Sequence, residues 1–189
     1  SDLDGTLLNT QKQIPPQNLE AIRNFKARGG LFTIATGRCP LSAKRIADMA
    51  EVNAPAVTLN GAAVYDFARG EMTDSRMLPA DYPQLIHRVW DAFPQVGIQA
   101  YVGSDIFVVR HSAVVDRQMK IEGLPWVESP PAELPPLVNK VLFGAAPEIL
   151  PGVRELLADT VAAEALYGMF TEDCYYELLP AGAHKGEGA

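Results

Sequence analysis

Apolar residues in the first 60 positions follow two different periods. Stretches that open at Pro15 and at Pro40 carry apolar residues at helical spacing, and proline suits the first turn of a helix because its missing N–H needs no partner there. Compact apolar runs at 31–35 and 55–59 have the length and composition of strands that are covered on both faces. Together with a strand that ends at the start of the chain, this alternation predicts right-handed crossovers and a parallel sheet.

The pattern changes at about Ala62, where short paired strands begin to alternate with helices. Such a pattern is typical of an α+β layer. A proline-rich stretch at 128–136 is expected to form a surface loop. We expect strands at 62–66, 71–76, 97–102, 105–110, 138–143, 164–170 and 175–179, and helices at 83–93, 112–121 and 147–158.

These patterns together predict an α/β fold in which a Rossmann-like, parallel-sheet core carries an inserted α+β cap. We place the first part of the core at 1–79, the cap at 80–180 and the return to the core at 181–189. Asp2 stands where a core strand should end, yet only Ser1 precedes it, and the chain stops soon after Lys185. We therefore expect the core to be partial, with further residues at both ends of the protein.

The densest cluster of candidate chemistry is Asp2-Leu3-Asp4-Gly5-Thr6. Two carboxylates one residue apart can present a nucleophile and a proton-transfer group at the same place. In phosphoryl transfer the first would attack phosphorus, and the second would protonate the leaving oxygen and later activate water. The alternative is a plain Asp-Gly turn with a capping threonine after a strand.

Polar side chains follow each of the three predicted core strands. They are Asp2 and Asp4, then Thr36 and Arg38, and then Asn60. In a parallel sheet these positions meet at one edge, beyond the carboxyl ends of the strands, where ligands bind. Two alternatives stay open at this point: Thr36 as the N-cap of the next helix, and Arg38 as an ordinary surface cation.

Composition narrows the possible partners. A net charge of −7 over 189 residues argues against nucleic acid and anionic membranes, which bind basic surfaces. A small anionic substrate remains compatible, because a metal ion and a few local cations can dominate a site. Two cysteines, Cys39 and Cys174, indicate reduced thiols and a cytoplasmic protein. No segment approaches the ~20 apolar residues of a membrane helix, and the sequence indicates no oligomeric state.

The chain resembles the haloacid dehalogenase superfamily, and within it the Cof-type branch, whose members carry a large α+β cap after the third sheet strand. The resemblance covers nearly the whole chain. Asp2-Leu3-Asp4-Gly5-Thr6-Leu7-Leu8 resembles the family's first motif, and Thr36-Gly37-Arg38 resembles the second. Lys185, within His184-Lys185-Gly186, resembles the third. Two further stretches, 60–62 and 139–143, also look like this branch. Each motif after the first is a weak signal by itself, but the order and spacing of the motifs together are specific for the family.

This resemblance implies roles for three catalytic residues. Asp2 is expected to be the nucleophile that becomes an aspartyl phosphate. Asp4 is expected to be the general acid and base. Lys185 would neutralise charge on the nucleophile and the phosphate. The same resemblance implies a Mg²⁺ ion, held by Asp2 and by the backbone carbonyl of Asp4.

The resemblance also implies a set of phosphate and substrate contacts. Thr36 would donate its hydroxyl to the phosphoryl oxygens, and Arg38 and Asn60 lie where contacts with substrate or phosphate are expected. Backbone N–H groups of the turns after Asp2 and Thr36, at Leu3 and Gly37, can add a phosphate nest.

One departure from the family pattern matters. The fourth motif, an acidic pair that completes the magnesium site, is expected beyond Lys185 and is not in this chain. Residues 1–189 alone are therefore expected to bind magnesium poorly and to be weak catalysts. The leading hypothesis is a Mg²⁺-dependent phosphatase of small phosphorylated metabolites, with sugar phosphates first. A phosphomutase or phosphotransferase on the same fold and a non-catalytic phosphate-binding module are the alternatives.

Overall fold

The computed structural model describes residues 1–163 and 166–186 of the chain. These residues form two compact units. The first unit comprises Ser1–Ser75 and the chain from Ala183 onward, and the second comprises Arg76–Gly182. The structure thus divides the chain after residues 75 and 182, whereas the division predicted from the sequence falls after residues 79 and 180.

The first unit contains two helices and a three-stranded antiparallel sheet. Buried apolar side chains from the start of the chain, from both helices, from the segment 31–35 and from the first strand form its core, with Leu3, Ile34 and Ala43 fully buried. The strands follow one another in the sheet as they do in the chain. The elements are α1 (Pro16–Ala27), α2 (Pro40–Met49), β1 (Ala56–Thr58), β2 (Ala63–Asp66) and β3 (Glu71–Ser75), with a short 3-10 turn at Leu59–Gly61.

The predicted core strand at 31–35 is an extended segment with short parallel pairing on both sides. Ala35 pairs with Val57 of β1 in parallel. On the other side the N–H of Ser1 donates to the Thr33 carbonyl, and the N–H of Ala35 donates to the Ser1 carbonyl, which is the bond pattern of one parallel rung. This arrangement brings the start of the chain, 31–35 and β1 side by side in parallel, with 31–35 in the middle.

The expectation that this run is covered on both faces over its length is wrong. Ile34 is fully buried, but Leu31 is 71% exposed. Leu31 follows the turn at 28–30 that ends α1. It precedes the first backbone hydrogen bond between the segment and its neighbour, which the Asn53 N–H donates to the Phe32 carbonyl. Apolar composition therefore predicts burial only for the part of the segment that is paired with neighbouring chain.

The second unit is a six-stranded sheet with helices. The elements are α3 (Tyr82–Ala92), β4 (Gly97–Val102), β5 (Asp105–Arg110), α4 (Ala113–Glu122), β6 (Val127–Glu128), β7 (Lys140–Gly144), α5 (Leu150–Ala163), β8 (Leu166–Glu172) and β9 (Tyr175–Pro180). The strand order in the sheet is β6-β5-β4-β7-β9-β8, antiparallel except between β5 and β6. One face packs against α3 and α5 around a core that includes Ile86, Phe143 and Leu157.

Most predicted elements are confirmed, and the differences have local causes. The last helix begins at Leu150 rather than at residue 147, so that Pro151 and not Pro147 occupies its first turn. The predicted loop at 128–136 contains the end of the two-residue strand β6 and a short 3-10 turn at Pro131–Glu133. The predicted strand at 164–170 starts at Glu164, which lies outside the described residues. Among the described residues no helix is long and apolar enough to cross a membrane.

Candidate active site

Asp2 is fixed at the end of the first parallel rung by a tight turn. Leu3 is completely buried and anchors the turn in the core of the first unit. The N–H groups of Leu7 and Leu8 donate to the carbonyls of Asp2 and Leu3, at 3.2 and 2.9 Å. Gly5 takes a φ of +77°, which glycine adopts without the steric cost of a Cβ. The turn leaves the side chain of Asp2 partly exposed while its backbone is held.

The carboxylate of Asp2 receives two hydrogen bonds on one oxygen. The Leu3 N–H donates to Oδ1 at 2.8 Å, and the Lys185 ammonium donates to the same oxygen at 2.9 Å. Within residues 1–163 and 166–186, Oδ2 has no hydrogen-bond partner. The Leu3 amide that we predicted to bind phosphate is therefore directed at Asp2 itself. The structure brings Asp2 and Lys185 together, as the sequence motifs indicated.

Asp4 is held by two cations. The guanidinium of Arg38 donates through Nε to Oδ2 at 3.1 Å and through Nη2 to Oδ1 at 2.9 Å. Lys12 Nζ donates to Oδ1 at 2.7 Å. Partial burial alone would raise the pKa of Asp4, but the hydrogen bonds and charges of Arg38 and Lys12 outweigh it and hold the pKa below its ordinary value. Asp4 is therefore ionised in the ligand-free protein.

The loop after 31–35 presents Thr36 and Arg38. Thr36 is 1% exposed, and its hydroxyl accepts a hydrogen bond from the Arg38 N–H at 3.2 Å. Its own N–H donates to the Val57 carbonyl, which ties the loop to β1. The alternative that Thr36 caps α2 is wrong, because Cys39 is the N-cap residue of that helix. Arg38 has its guanidinium engaged on Asp4 with its side chain 25% exposed, so it is a surface cation with a defined partner.

The turn after β1 has an unusual backbone. Leu59, Asn60 and Gly61 have φ values of +50°, +56° and +101°, in the left-handed region that side chains with a Cβ rarely occupy. The turn is tied to the neighbouring loop, because the Asn60 N–H donates to the Thr36 carbonyl and the Leu59 N–H to the Arg38 carbonyl. Such strain persists where surrounding contacts impose it, and it is concentrated at functional sites.

Two glycines permit the close packing of these loops. A Cβ on Gly37 would lie 2.8 Å from the amide atoms of the Asn60 side chain. A Cβ on Gly61 would lie 2.6 Å from the backbone of His184, the residue before Lys185. The turn that carries Asn60 thus supports both the Thr36–Arg38 loop and the chain that presents Lys185.

The charged side chains of the site carry a net positive charge, whereas the whole chain is negative. Lys12, Arg38 and Lys185 face the two carboxylates of Asp2 and Asp4. The local excess of positive charge contrasts with the net charge of −7 of the whole chain. A cluster of this kind favours a phosphate anion near Asp2 even though the protein as a whole is acidic.

The model of the family described as haloacid dehalogenase-like hydrolase matches residues 1–189. The chain belongs to this family. The family predicted from the sequence is thus confirmed.

A curated relative has a named activity. The HMP-PP phosphatase of Klebsiella pneumoniae (strain 342) is 25% identical over 186 residues, which cover 98% of this chain and 67% of the relative. This chain therefore spans about two thirds of the length of that relative. The likeness supports an enzyme of the phosphatase type.

Solved structures share the fold. A haloacid dehalogenase-like hydrolase from Bacteroides thetaiotaomicron superposes with a TM-score of 0.84 at 22% identity, over 97% of this chain and 71% of the other. A sugar phosphatase of haloacid dehalogenase subclass IIB superposes with a TM-score of 0.78 at 18% identity, over 99% and 71%. The predicted fold class, an α/β haloacid dehalogenase fold, is confirmed.

Sequence reasoning missed Lys12. It lies in the polar loop after the first motif, eight residues from Asp4, where nothing in the pattern of apolar positions marks it. Its backbone φ of +58° is the local feature that sets it apart, and lysine gives no sequence signal for that conformation.

Proposed function

We propose that this protein is a magnesium-dependent phosphatase of small phosphorylated metabolites that works through an aspartyl phosphate on Asp2. The observation that supports this proposal is the hydrogen bonding of the Asp2 carboxylate. Its Oδ1 is held by Lys185 and by the Leu3 N–H, and its Oδ2 has no hydrogen-bond partner among residues 1–163 and 166–186. A carboxylate held through one oxygen presents the other to an electrophile in a fixed direction.

In the first half of the reaction, Oδ2 of Asp2 bonds to phosphorus while the bond from phosphorus to the ester oxygen breaks. The leaving alkoxide takes a proton from Asp4 and departs as an alcohol. Lys185 is placed to offset the negative charge on Asp2 and on the incoming phosphate. A phosphate anion beside Asp4 favours the protonated carboxyl that this step needs, because like charge opposes ionisation.

In the second half, a water molecule attacks phosphorus, and Asp4 accepts its proton as the bond between phosphorus and Asp2 breaks. The products are inorganic phosphate and the regenerated carboxylate of Asp2. The ionised state in which Arg38 and Lys12 hold Asp4 is the one that accepts this proton.

The loop side chains supply candidate contacts for the phosphoryl group. We assign phosphate contacts to the Thr36 hydroxyl and to the backbone N–H of Gly37, and phosphate or substrate contacts to Arg38 and Asn60. The packing of Asn60 against Gly37 supports this assignment, because it holds the two loops at one place. The Leu3 N–H retains a role in fixing Asp2.

The donor atoms fit part of a magnesium shell. The carboxylate of Asp2 and the backbone carbonyl of Asp4 are hard oxygen donors of the kind that Mg²⁺ prefers. No three His, Cys, Asp or Glu residues form a candidate metal cluster in the described parts of the chain, so Asp2 and Asp4 supply only some of the ligands. Bound there, the ion would offset the repulsion between Asp2 and a phosphate dianion.

Sugar phosphates are the first substrates to test. The fold neighbour is a sugar phosphatase, and the relative is named HMP-PP phosphatase. An acidic chain with a locally cationic site suits a small phosphorylated substrate.

The deciding experiment is phosphate release from a panel of sugar phosphates and nucleotides, with Mg²⁺ and with EDTA, by the gene product that carries this sequence. We expect turnover that requires Mg²⁺. The Asp2→Asn variant should retain less than about a hundredth of the rate while keeping its fold. Asp48→Asn on α2 is the matched control, because Asp48 pairs with Lys44 at the surface.

The outcomes separate the alternatives. Transfer of phosphate to an added sugar, in preference to water, would assign a phosphomutase or phosphotransferase. Thermal stabilisation by phosphate without turnover on any substrate would assign a binding module. Turnover by Asp2→Asn at more than about a hundredth of the original rate would count against nucleophilic catalysis by Asp2.

A further inference from the structure

The loop that carries Lys12 is closed by its own hydrogen bonds. Asn9 organises it, because its side-chain oxygen accepts from the N–H groups of Gln11 and Gln13 at 2.9 and 3.0 Å. The backbone of Asn9 adds two bonds, in which its carbonyl accepts from the Lys12 N–H and its N–H donates to the Gln13 carbonyl. Lys12 stands in this closed turn with a φ of +58°.

This turn directs the Lys12 side chain at Asp4. The Nζ–Oδ1 distance is 2.7 Å, shorter than either distance from Arg38 to Asp4. The Lys12 side chain is 63% exposed and that of Asp4 40%. An exposed ion pair contributes little to stability, since solvent screens it and the lysine loses rotamer freedom. A strained turn that orders such a pair points to a purpose other than stability.

Arg38 by itself could hold Asp4, because it donates to both carboxylate oxygens. Arg38, however, belongs to the loop that carries Thr36, to which we have assigned the phosphoryl group. A guanidinium that turns toward a phosphate releases the carboxylate it held. Among the residues that the structure describes, the donor that then remains on Asp4 is Lys12, which reaches it from a different loop.

We propose that Lys12 is a positioning residue that keeps the Asp4 carboxyl in place when Arg38 engages the phosphoryl group. The inference rests on the proposed function, because it assigns Asp4 the proton transfer. A misplaced general acid slows the loss of a poor leaving group most, whereas a good leaving group departs without a proton. The effect of Lys12 should therefore depend on the leaving group.

The kinetic test compares kcat/KM for an alkyl phosphate, such as a sugar phosphate that the protein turns over, with kcat/KM for p-nitrophenyl phosphate. We expect Lys12→Met to lower the first about tenfold and the second by less than about threefold. Lys12→Arg should restore most of the loss. Lys44→Met removes another exposed lysine paired with an aspartate, and it should leave kcat/KM unchanged for both substrates. Equal losses on both substrates, or no loss, would overturn the proposal.

A second measurement does not depend on turnover. Crystal structures of the wild type and of Lys12→Met are compared after soaking with inorganic phosphate. We expect the Asp4 carboxyl to keep its place in the wild type and to leave it in the variant. An Asp4 that stays in place in Lys12→Met would overturn the positioning role. A wild type that turns over no substrate would overturn the proposed function instead, so the two failures are distinguishable.

Discussion

Lys185 contacts Asp2 across 183 residues of chain, with Nζ 2.9 Å from Oδ1. The two side chains are 38% and 39% exposed. Exposed pairs of this kind contribute about 0–1 kcal/mol to stability, because solvent screens them and side-chain freedom is lost. The contact is therefore poorly explained by stability, and it fits charge compensation at the nucleophile that we propose.

Replacement of Lys185 by methionine should separate activity from stability. We expect Lys185→Met to lower phosphate release at least about a hundredfold, because the charge that offsets Asp2 and the phosphate is lost. The free energy of unfolding in urea should change by less than about 1 kcal/mol. Lys44→Met is the control for removing an exposed lysine. A variant that loses stability and activity in proportion would indicate a structural role for the lysine.

Gly61 and Gly70 are a test position and its control for the close packing of the site loops. Both have positive φ values, +101° and +72°, but a Cβ on Gly61 would lie 2.6 Å from the His184 backbone, whereas one on Gly70 would meet nothing within 4 Å. We expect Gly70→Ala to cost about 1–2 kcal/mol of unfolding free energy, the cost of the backbone conformation. Gly61→Ala should cost more, because the chain that presents Lys185 has to move.

The rate of phosphate release is a second quantity in which Gly61→Ala and Gly70→Ala should differ. Gly61→Ala should also lower the rate, whereas Gly70→Ala, in the hairpin between β2 and β3, should not. Equal costs in stability for the two variants, with equal rates, would show that the contact with His184 does not constrain the loop.

The local parts of the site could be predicted from the sequence. The first motif is contiguous, so Asp2 and Asp4 had to lie together whatever the fold. The edge at which Thr36 and Asn60 meet followed from the order of strands and helices, because parallel strands end at the same side of a sheet. The strands β4 and β5 were also predicted at their observed bounds, since a turn at Gly103 separates two apolar runs.

The remaining features depend on conformations that residue types do not encode. Lys12 reaches Asp4 because the loop of Asn9 closes on itself and turns the lysine into the left-handed region. Arg38 could have faced solvent, and its bidentate contact with Asp4 becomes visible only once both loops are placed. The exposure of Leu31 likewise depends on where the segment joins its neighbours, which apolar composition does not report.

A buried ion pair in the second unit gives a prediction about stability. Lys140 on β7 and Glu177 on β9 lie 3.0 Å apart with side chains only 4% and 5% exposed, and the Lys140 ammonium lies 4.5 Å from the centre of the Tyr101 ring. Replacing Glu177 by glutamine removes this ion pair from a buried ammonium that has already been taken out of water. We expect Glu177→Gln to cost about 3 kcal/mol or more in unfolding free energy.

The double variant tests this explanation. Lys140→Met combined with Glu177→Leu replaces both charges by apolar side chains and should recover most of the lost stability. Glu51→Gln is the control for an exposed glutamate and should have a much smaller effect, because Glu51 meets Arg23 and Lys26 at the surface. If the double variant were as unstable as Glu177→Gln, the buried charge would not be the cause.

His111 should make the stability of the second unit depend on pH. Its Nδ1 lies 2.6 Å from Asp116 on α4, and its Nε2 lies 3.4 Å from Glu128 on β6. The hydrogen bond with Asp116 raises the pKa of His111, with a smaller contribution from Glu128, against the opposing effect of burial. A raised pKa in the folded state means that folding is favoured by protonation of this histidine.

The sign of the effect follows from this shift. The stabilisation is fully present below about pH 6.5, the ordinary pKa of histidine, and is lost as the pH rises through the higher pKa of the folded state. We expect the difference in unfolding free energy between wild type and His111→Gln to be largest at about pH 5.5 and to shrink toward about pH 8.5. Urea unfolding at a series of pH values measures it, with His87→Gln as the control for an exposed histidine on α3. Parallel curves for wild type and His111→Gln would show that the two carboxylates do not stabilise the protonated ring, and a difference that grew with pH would reverse the assigned direction.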